Sequence, residues 1–195
     1  MSDTTHRKSL LRSDLRRRRK ALTPAQQLTA ARALTASVAA LPDWQNAARI
    51  AIYLAADGEI DTQPLAHMAR SLEKQVFLPV IADKDRLGFA LWDAGDPLTA
   101  NRYNIPEPPD GATRCPVSEL DIIFLPLVGW DVHGGRLGMG AASTTGRWQS
   151  TGGPLLVGLA HQQQQVEAGI PLDSWDIVLD YIATDKALYR RRRRQ

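Results

Sequence analysis

The chain has 195 residues, 44% of them hydrophobic and 23% charged, which suits one globular domain with a real core. Its one cysteine, Cys115, excludes an internal disulfide and a cysteine-based zinc cluster. No run of about 18 apolar residues offers a transmembrane helix, and the charged N-terminus lacks the apolar centre of a signal peptide, so a cytoplasmic protein is expected. Removing the five arginines at 190–194 takes the formal charge from +3 to −2. No aromatic residues interleave with Arg16–Lys20 or with that tail, so a solvated helix face and a frayed basic end are favoured over a nucleic-acid site.

In chain order, residues 6–40 read as two helices, "KSLLRSDLRRRRKAL" and "TPAQQLTAARALTASVAAL", divided by Thr23-Pro24, an N-cap followed by proline at the first helical position. "ARIAIYLA" (48–55) is a buried strand. A helix follows over 61–73, capped by Asp61 or Thr62, then strands at 75–81 and 88–92, the latter antiparallel. A proline-rich loop occupies 102–112. "LDIIFLPLVGWD" (120–131) is a continuous apolar strand suited to a sheet centre, with further strands at 154–161 and 175–184. Helices alternating with strands predict a single three-layer α/β/α domain over 1–195 with a largely parallel central sheet, bearing N-terminal helices at 1–40 and a basic tail at 190–195.

In such sheets ligands bind beyond the carboxyl ends of the strands. Two loops fall there, "AADGEIDT" after the 48–55 strand and "RLGMGAASTTGRW" (136–148) after the 120–131 strand. Glycines at 134, 135, 138 and 140 around Arg136 supply bare amides and a cation for a polyphosphate, although no Gly-Lys-Ser/Thr follows as in a Walker loop. Lys8 and Arg12 share one helix face and could clamp phosphate. Glu59 stands in a loop where a carboxylate could accept from an amide-rich heterocycle. His133 and His161 are possible acid/base groups for which a structural role is favoured. Asp176 and Asp180, four apart, could assist a Mg²⁺ ion, with capping or exposure as the ordinary alternative.

Taken in order, "KSLLR" (8–12), "IYLAADGEIDT" (52–62), "NIPEP" (104–108), "LDIIFLPLVGWDVHGGRLGMG" (120–140) and "VGLAH" (157–161) resemble the 5-formyltetrahydrofolate cyclo-ligase family over nearly the whole chain. The resemblance implies a ligase that uses ATP and Mg²⁺ to cyclise 5-formyltetrahydrofolate to 5,10-methenyltetrahydrofolate, with no membrane partner; a monomer is expected. Carried over by position, Lys8 and Arg136 would be catalytic. Lys8, Arg12, Arg136, Leu137, Gly138, Met139, Gly140, Ala141, Ala142, Ser143 and Thr144 would hold ATP. Leu54, Glu59 and Trp130 would meet the folate, and Asp180 is a candidate for the metal.

One segment departs from the family. After Gly-Met-Gly the family continues Gly-Gly-Tyr/Phe-Tyr-Asp-Arg, whereas here Ala141-Ala142-Ser143-Thr144-Thr145-Gly146 stands, with Thr145 at the position of the metal-binding aspartate. A threonine hydroxyl is a poor ligand for a hard dication beside a carboxylate. Deleting the first base of GGC GGC TTC TAC GAC CGG GCG CTG GC, which encodes Gly-Gly-Phe-Tyr-Asp-Arg-Ala-Leu, gives codons for Ala-Ala-Ser-Thr-Thr-Gly-Arg-Trp, the row at 141–148. A local frameshift of the family loop is therefore the favoured origin for it, with divergence of the loop as the alternative. The alternative function is a folate- or nucleotide-binding relative with impaired turnover.

Overall fold

The computed structural model describes residues 3–81, 87–139, 153–172 and 176–192. Helices α1 (Asp3–Lys20) and α2 (Pro24–Ala39) open the chain. Thr23 sets the break between them: its hydroxyl accepts from the Gln26 amide at 3.3 Å, and the Gln26 side chain accepts from the Thr23 amide at 2.8 Å. Next come β1 (Arg49–Ala51), α3 (Gln63–Ser71), β2 (Gln75–Ile81) and β3 (Leu87–Leu91). At the start of α3, Asp61 is the residue that caps, its carboxylate accepting from the Gln63 amide at 3.0 Å, while the Thr62 hydroxyl donates to the Tyr53 carbonyl instead.

β4 (Thr99–Ala100) and β5 (Pro106–Glu107) pair within the proline-rich loop, and β6 (Arg114–Cys115) and β7 (Ile122–Pro126) follow. β8 (Gly129–Trp130) pairs antiparallel with β9 (Arg136–Leu137), and β10 (Leu155–Ala160), β11 (Tyr181–Thr184) and β12 (Leu188–Arg190) complete the set. The main sheet has eight strands in the order β12-β11-β10-β7-β1-β2-β3-β6. The five central strands from β11 to β2 run parallel, while β12, β3 and β6 are antiparallel to their neighbours. This is the α/β class with a largely parallel sheet that the sequence predicts.

Alternation along the strands feeds two cores. Ile50, Ile52, Val76, Leu78, Ile122, Phe124, Val157 and Leu159 pack with Leu34 and Val38 of α2 and Leu65 and Ala69 of α3. The opposite-facing Ala51, Phe77, Ile123, Leu125, Leu156 and Ile182 pack with Leu120, Trp130 and Leu179. Burial on both faces is why these strands read as continuous apolar runs. A third, smaller cluster joins Leu15 of α1 to Val128, Leu137, Val166 and Ile170, and so docks α1 on the β8–β9 hairpin.

Three expected elements differ. The single strand at 120–131 is two, because after β7 the chain leaves the sheet and its apolar continuation pairs with 136–137 instead. The expected strand at 175–184 forms only over β11 among the described residues, and β12 closes that edge. The tail is not frayed as far as Arg192: Arg190 belongs to β12, the Arg191 amide donates to the Asp180 carbonyl and the Arg192 amide to the Val132 carbonyl. Among the described residues, no helix is long and apolar enough to cross a membrane.

Gly158 marks a close approach within the sheet. A Cβ there would lie 2.6 Å from both Leu127 Cδ1 and Leu179 Cδ1, which are buried. Gly158→Ala is expected to cost about 1–3 kcal/mol by overpacking, read as a lower denaturation midpoint at unchanged slope.

Candidate active site

The carboxyl ends of β1, β7 and β10 share one edge of the sheet, and α1 brings its charged side chains to it. Lys8 Nζ lies 3.1 Å from Asp176 Oδ2, and Arg12 Nε donates to the Gly138 carbonyl at 2.8 Å. The i, i+4 spacing therefore does what the sequence predicts, presenting both cations to one region. Arg136 lies within electrostatic reach of the same Asp176; burial lowers its pKa and that carboxylate opposes the shift. Lys8, Arg12, Arg136 and Gly138 thus gather around Asp176 and the start of the glycine-rich loop. Leu137 is buried in the cluster that holds α1, whereas Met139 is half exposed. Gly140, Ala141, Ala142, Ser143, Thr144 and Thr145 lie outside the described residues.

The hairpin carrying Arg136 is built on a buried carboxylate. Asp131 Oδ1 accepts from the His133 amide at 2.8 Å and the Gly135 amide at 3.0 Å, and Oδ2 accepts from the Ile170 amide at 2.8 Å. Both glycines of the turn are required. Gly134 has φ +79°, and a Cβ there would sit 2.4 Å from the Leu179 carbonyl oxygen. A Cβ on Gly135 would sit 2.5 Å from Asp131 Oδ2.

The second loop runs from β1 to α3. Leu54 packs against the first core from a half-buried position. Glu59 Oε2 accepts from the Ala56 amide at 3.1 Å and its side chain is largely buried. Burial raises the Glu59 pKa, with the Ala56 amide and Arg19 acting against it. Asp57, two residues earlier, has φ +53°, a left-handed conformation uncommon for a residue with a Cβ. Its carboxylate accepts from Arg16 Nε at 2.7 Å and Arg19 Nη2 at 2.8 Å, and is paired with Lys20. The Arg16 hydrogen bond is the main reason its pKa falls well below the usual carboxylate range, with Lys20 and Arg19 adding to the effect and burial opposing it.

Several candidates fall elsewhere. Trp130 is fully buried, 4.8 Å between ring centroids from Tyr189, and its indole N–H donates to the His161 carbonyl. It supports the hairpin from within the core and offers no surface to a substrate. Asp180 Oδ2 accepts from the Leu156 amide at 3.0 Å, at the amino end of β10 and so on the edge opposite the loops. Asp176, not Asp180, is the acid that reaches Lys8. His133 Nδ1 contacts the Arg192 carbonyl, and His161 is buried, which lowers its pKa. The pattern missed Arg19 and Asp57. Their signal was the position of Arg19 four residues after the inward-facing Leu15, within a run otherwise read as solvated.

Comparison with known proteins bears on the family and the fold. The model of the 5-formyltetrahydrofolate cyclo-ligase family matches residues 4–185. A 5-formyltetrahydrofolate cyclo-ligase of Haemophilus influenzae is 36% identical over 181 residues, spanning 90% of this chain and 96% of that protein. The protein of the same name from Escherichia coli is also 36% identical, spanning 90% of this chain and 98% of its own length. The solved structure of Aquifex aeolicus 5,10-methenyltetrahydrofolate synthetase superposes with a TM-score of 0.81 at 27% identity, covering 96% of this chain and 94% of that one. The chain belongs to the 5-formyltetrahydrofolate cyclo-ligase family.

Proposed function

We propose that this chain is a ligase that cyclises 5-formyltetrahydrofolate to 5,10-methenyltetrahydrofolate, consuming ATP and releasing ADP and phosphate. The observation that carries the reading is the gathering of Lys8, Arg12 and Arg136 about Asp176 and the start of the glycine-rich loop, which Arg19 links to Glu59 through its approach to Met139. Cations around bare loop backbone suit a polyphosphate, and a sheltered carboxylate suits the paired N–H donors of a pterin.

The chemistry follows from a poor leaving group. The formamide oxygen attacks the γ-phosphorus of ATP, and ADP departs. The N10 amine then adds to the activated carbon, a proton is lost, and the C–O bond breaks with release of phosphate. The protein's share is to align the two reactants and to offset the charge on the transferring phosphoryl group. Lys8 and Arg136 take that second role, and Arg12, tied to the Gly138 carbonyl, holds the loop beside it.

Magnesium sites at phosphates commonly use one or two carboxylates with the phosphate oxygens and water. Asp176, which pairs with Lys8 and lies within electrostatic reach of Arg136, supplies one such carboxylate, so it would hold the ion. Bound there, magnesium would supply further neutralisation of phosphate charge. A folate-binding relative without turnover rests on residues 141–146 alone, and the relatives carry the name of an active ligase.

The test is growth of methenyl absorbance when the chain is mixed with ATP, Mg²⁺ and 5-formyltetrahydrofolate. Product is expected, and tight folate binding without product would overturn the reading. Thr145→Asp, which restores the family carboxylate, is expected to lower the Mg²⁺ concentration for half-maximal rate by about tenfold or more.

A further inference from the structure

Arg19 is fully buried, yet it lies in a run of cations whose other members are exposed or partly so. Its guanidinium divides its donors among separate parts of the active edge. Nε donates to the Asp57 carbonyl at 2.8 Å, and Nη2 donates to Asp57 Oδ2 at 2.8 Å. Nη1 donates to the Leu127 carbonyl, just past β7, at 3.1 Å. Nη1 also lies 3.9 Å from Glu59 Oε1, and Nη2 lies 3.9 Å from Met139 Sδ at the start of the glycine-rich loop. One side chain thus touches the folate-side loop, the sheet edge and the nucleotide-side loop.

The same helix end fastens the intervening residue. Gln27 Nε2 contacts both the Arg19 and Gly58 carbonyls at 3.3 Å, and a Cβ on Gly58 would lie 3.4 Å from the Arg19 backbone. Asp57, Gly58 and Glu59 are therefore held one after another by Arg19 and its neighbours. The left-handed Asp57 backbone persists because its carbonyl and carboxylate are both gripped.

We propose that Arg19, seated by Asp57, is a positioning residue that orients the Glu59 carboxylate toward the pterin. The proposal rests on the reading that Glu59 accepts N–H donors of the folate. Arg19 itself touches neither substrate. A purely structural arginine would explain the bonds to Leu127 and Asp57, but the ion pair to Glu59 gives Arg19 a lever on one substrate. Lysine cannot replace it, since one ammonium on a flexible stem does not satisfy the planar fork that spans Asp57 and Leu127.

The experiment uses the full chain with initial rates measured against folate and ATP separately, and with thermal melts as a folding control. The variants are Arg19→Lys, Arg19→Met, Asp57→Asn, Glu59→Gln and the Arg19→Met/Glu59→Gln double. Both Arg19 variants are expected to raise KM for 5-formyltetrahydrofolate by about tenfold or more, with KM for ATP within about twofold. Because Arg19 acts through Glu59, the double variant should fall within about twofold of Glu59→Gln alone. Parallel rises in both KM values, or a double variant that multiplies the two single effects, would overturn the proposal. Glu59→Gln without effect on folate KM sinks the Glu59 reading, and the proposal with it. An effect of Glu59→Gln beside silent Arg19 variants sinks the positioning role alone. If the Arg19 variants do not fold, Asp57→Asn decides: it keeps the carbonyl contact and is expected to raise folate KM severalfold, and an unchanged folate KM refutes the proposal.

Discussion

Replacing Arg136 with methionine is expected to lower kcat for cyclisation by about 10³-fold while leaving folate affinity within about threefold, the scale seen when a fixed cation on a transferring phosphoryl group is removed. The expectation follows from placement. Arg136 is held in β9 by pairing with Trp130, one of the most deeply buried side chains, so its backbone has little freedom. Burial disfavours its charge and lowers its pKa, and Asp176 offsets part of that cost. A cation already partly removed from water and held on a paired strand needs less reorganisation when phosphoryl charge develops, which makes it worth more there than a mobile surface lysine. Methionine keeps much of the stem and volume and removes the charge together with the guanidinium's N–H donors. Single-turnover kinetics with saturating ATP separate the chemical step from binding; a loss confined to KM for ATP would show that Arg136 only binds ground-state phosphate.

How much of this was legible in the sequence depends on whether the deciding partner is near or far along the chain. The break at Thr23-Pro24 is local chemistry and falls where the sequence puts it. Lys8 and Arg12 share a face by helix geometry, so their joint arrival at the site needed only that α1 form. The split of 120–131 was hidden because burial makes β7 and β8 equally apolar; only the return of 136–137 onto 129–130 separates them. Asp176 and Asp180 illustrate the same limit. Spacing alone makes them equivalent, but Asp180 meets the Leu156 amide while Asp176 meets Lys8, 168 positions away. Arg19 was concealed by company: four neighbouring cations gave it the look of a wet surface, although it follows Leu15 by one helical turn and turns inward with it. Trp130 fails in the other direction, since an aromatic beside a glycine loop suggests a pocket wall and here fills the core.

Asp131→Ala is expected to cost about 3–5 kcal/mol, lowering the melting temperature by roughly 10 °C or more for a chain of this size. Asp131 is 1% exposed, and its carboxylate accepts from three backbone amides, those of His133, Gly135 and Ile170. Alanine leaves those donors facing protein with no acceptor, and an unmade buried hydrogen bond costs more than a made one contributes. Asp131→Asn is expected to cost less, about 1–3 kcal/mol, because the remaining carbonyl oxygen can still serve the turn while the new amide faces a donor. The two variants also separate stability from catalysis. Arg136 follows the turn that Asp131 closes, and Gly134, with the Leu179 carbonyl and Val178 filling the space beside it, has little room to shift in compensation. Loosening the carboxylate should therefore lower kcat in both variants even well below their melting temperatures, whereas Gly158→Ala, which strains the sheet between Leu127 and Leu179, should lower stability with kcat nearly intact. Equal kcat losses at equal destabilisation in all three would mean that the hairpin carries no special constraint beyond the fold as a whole.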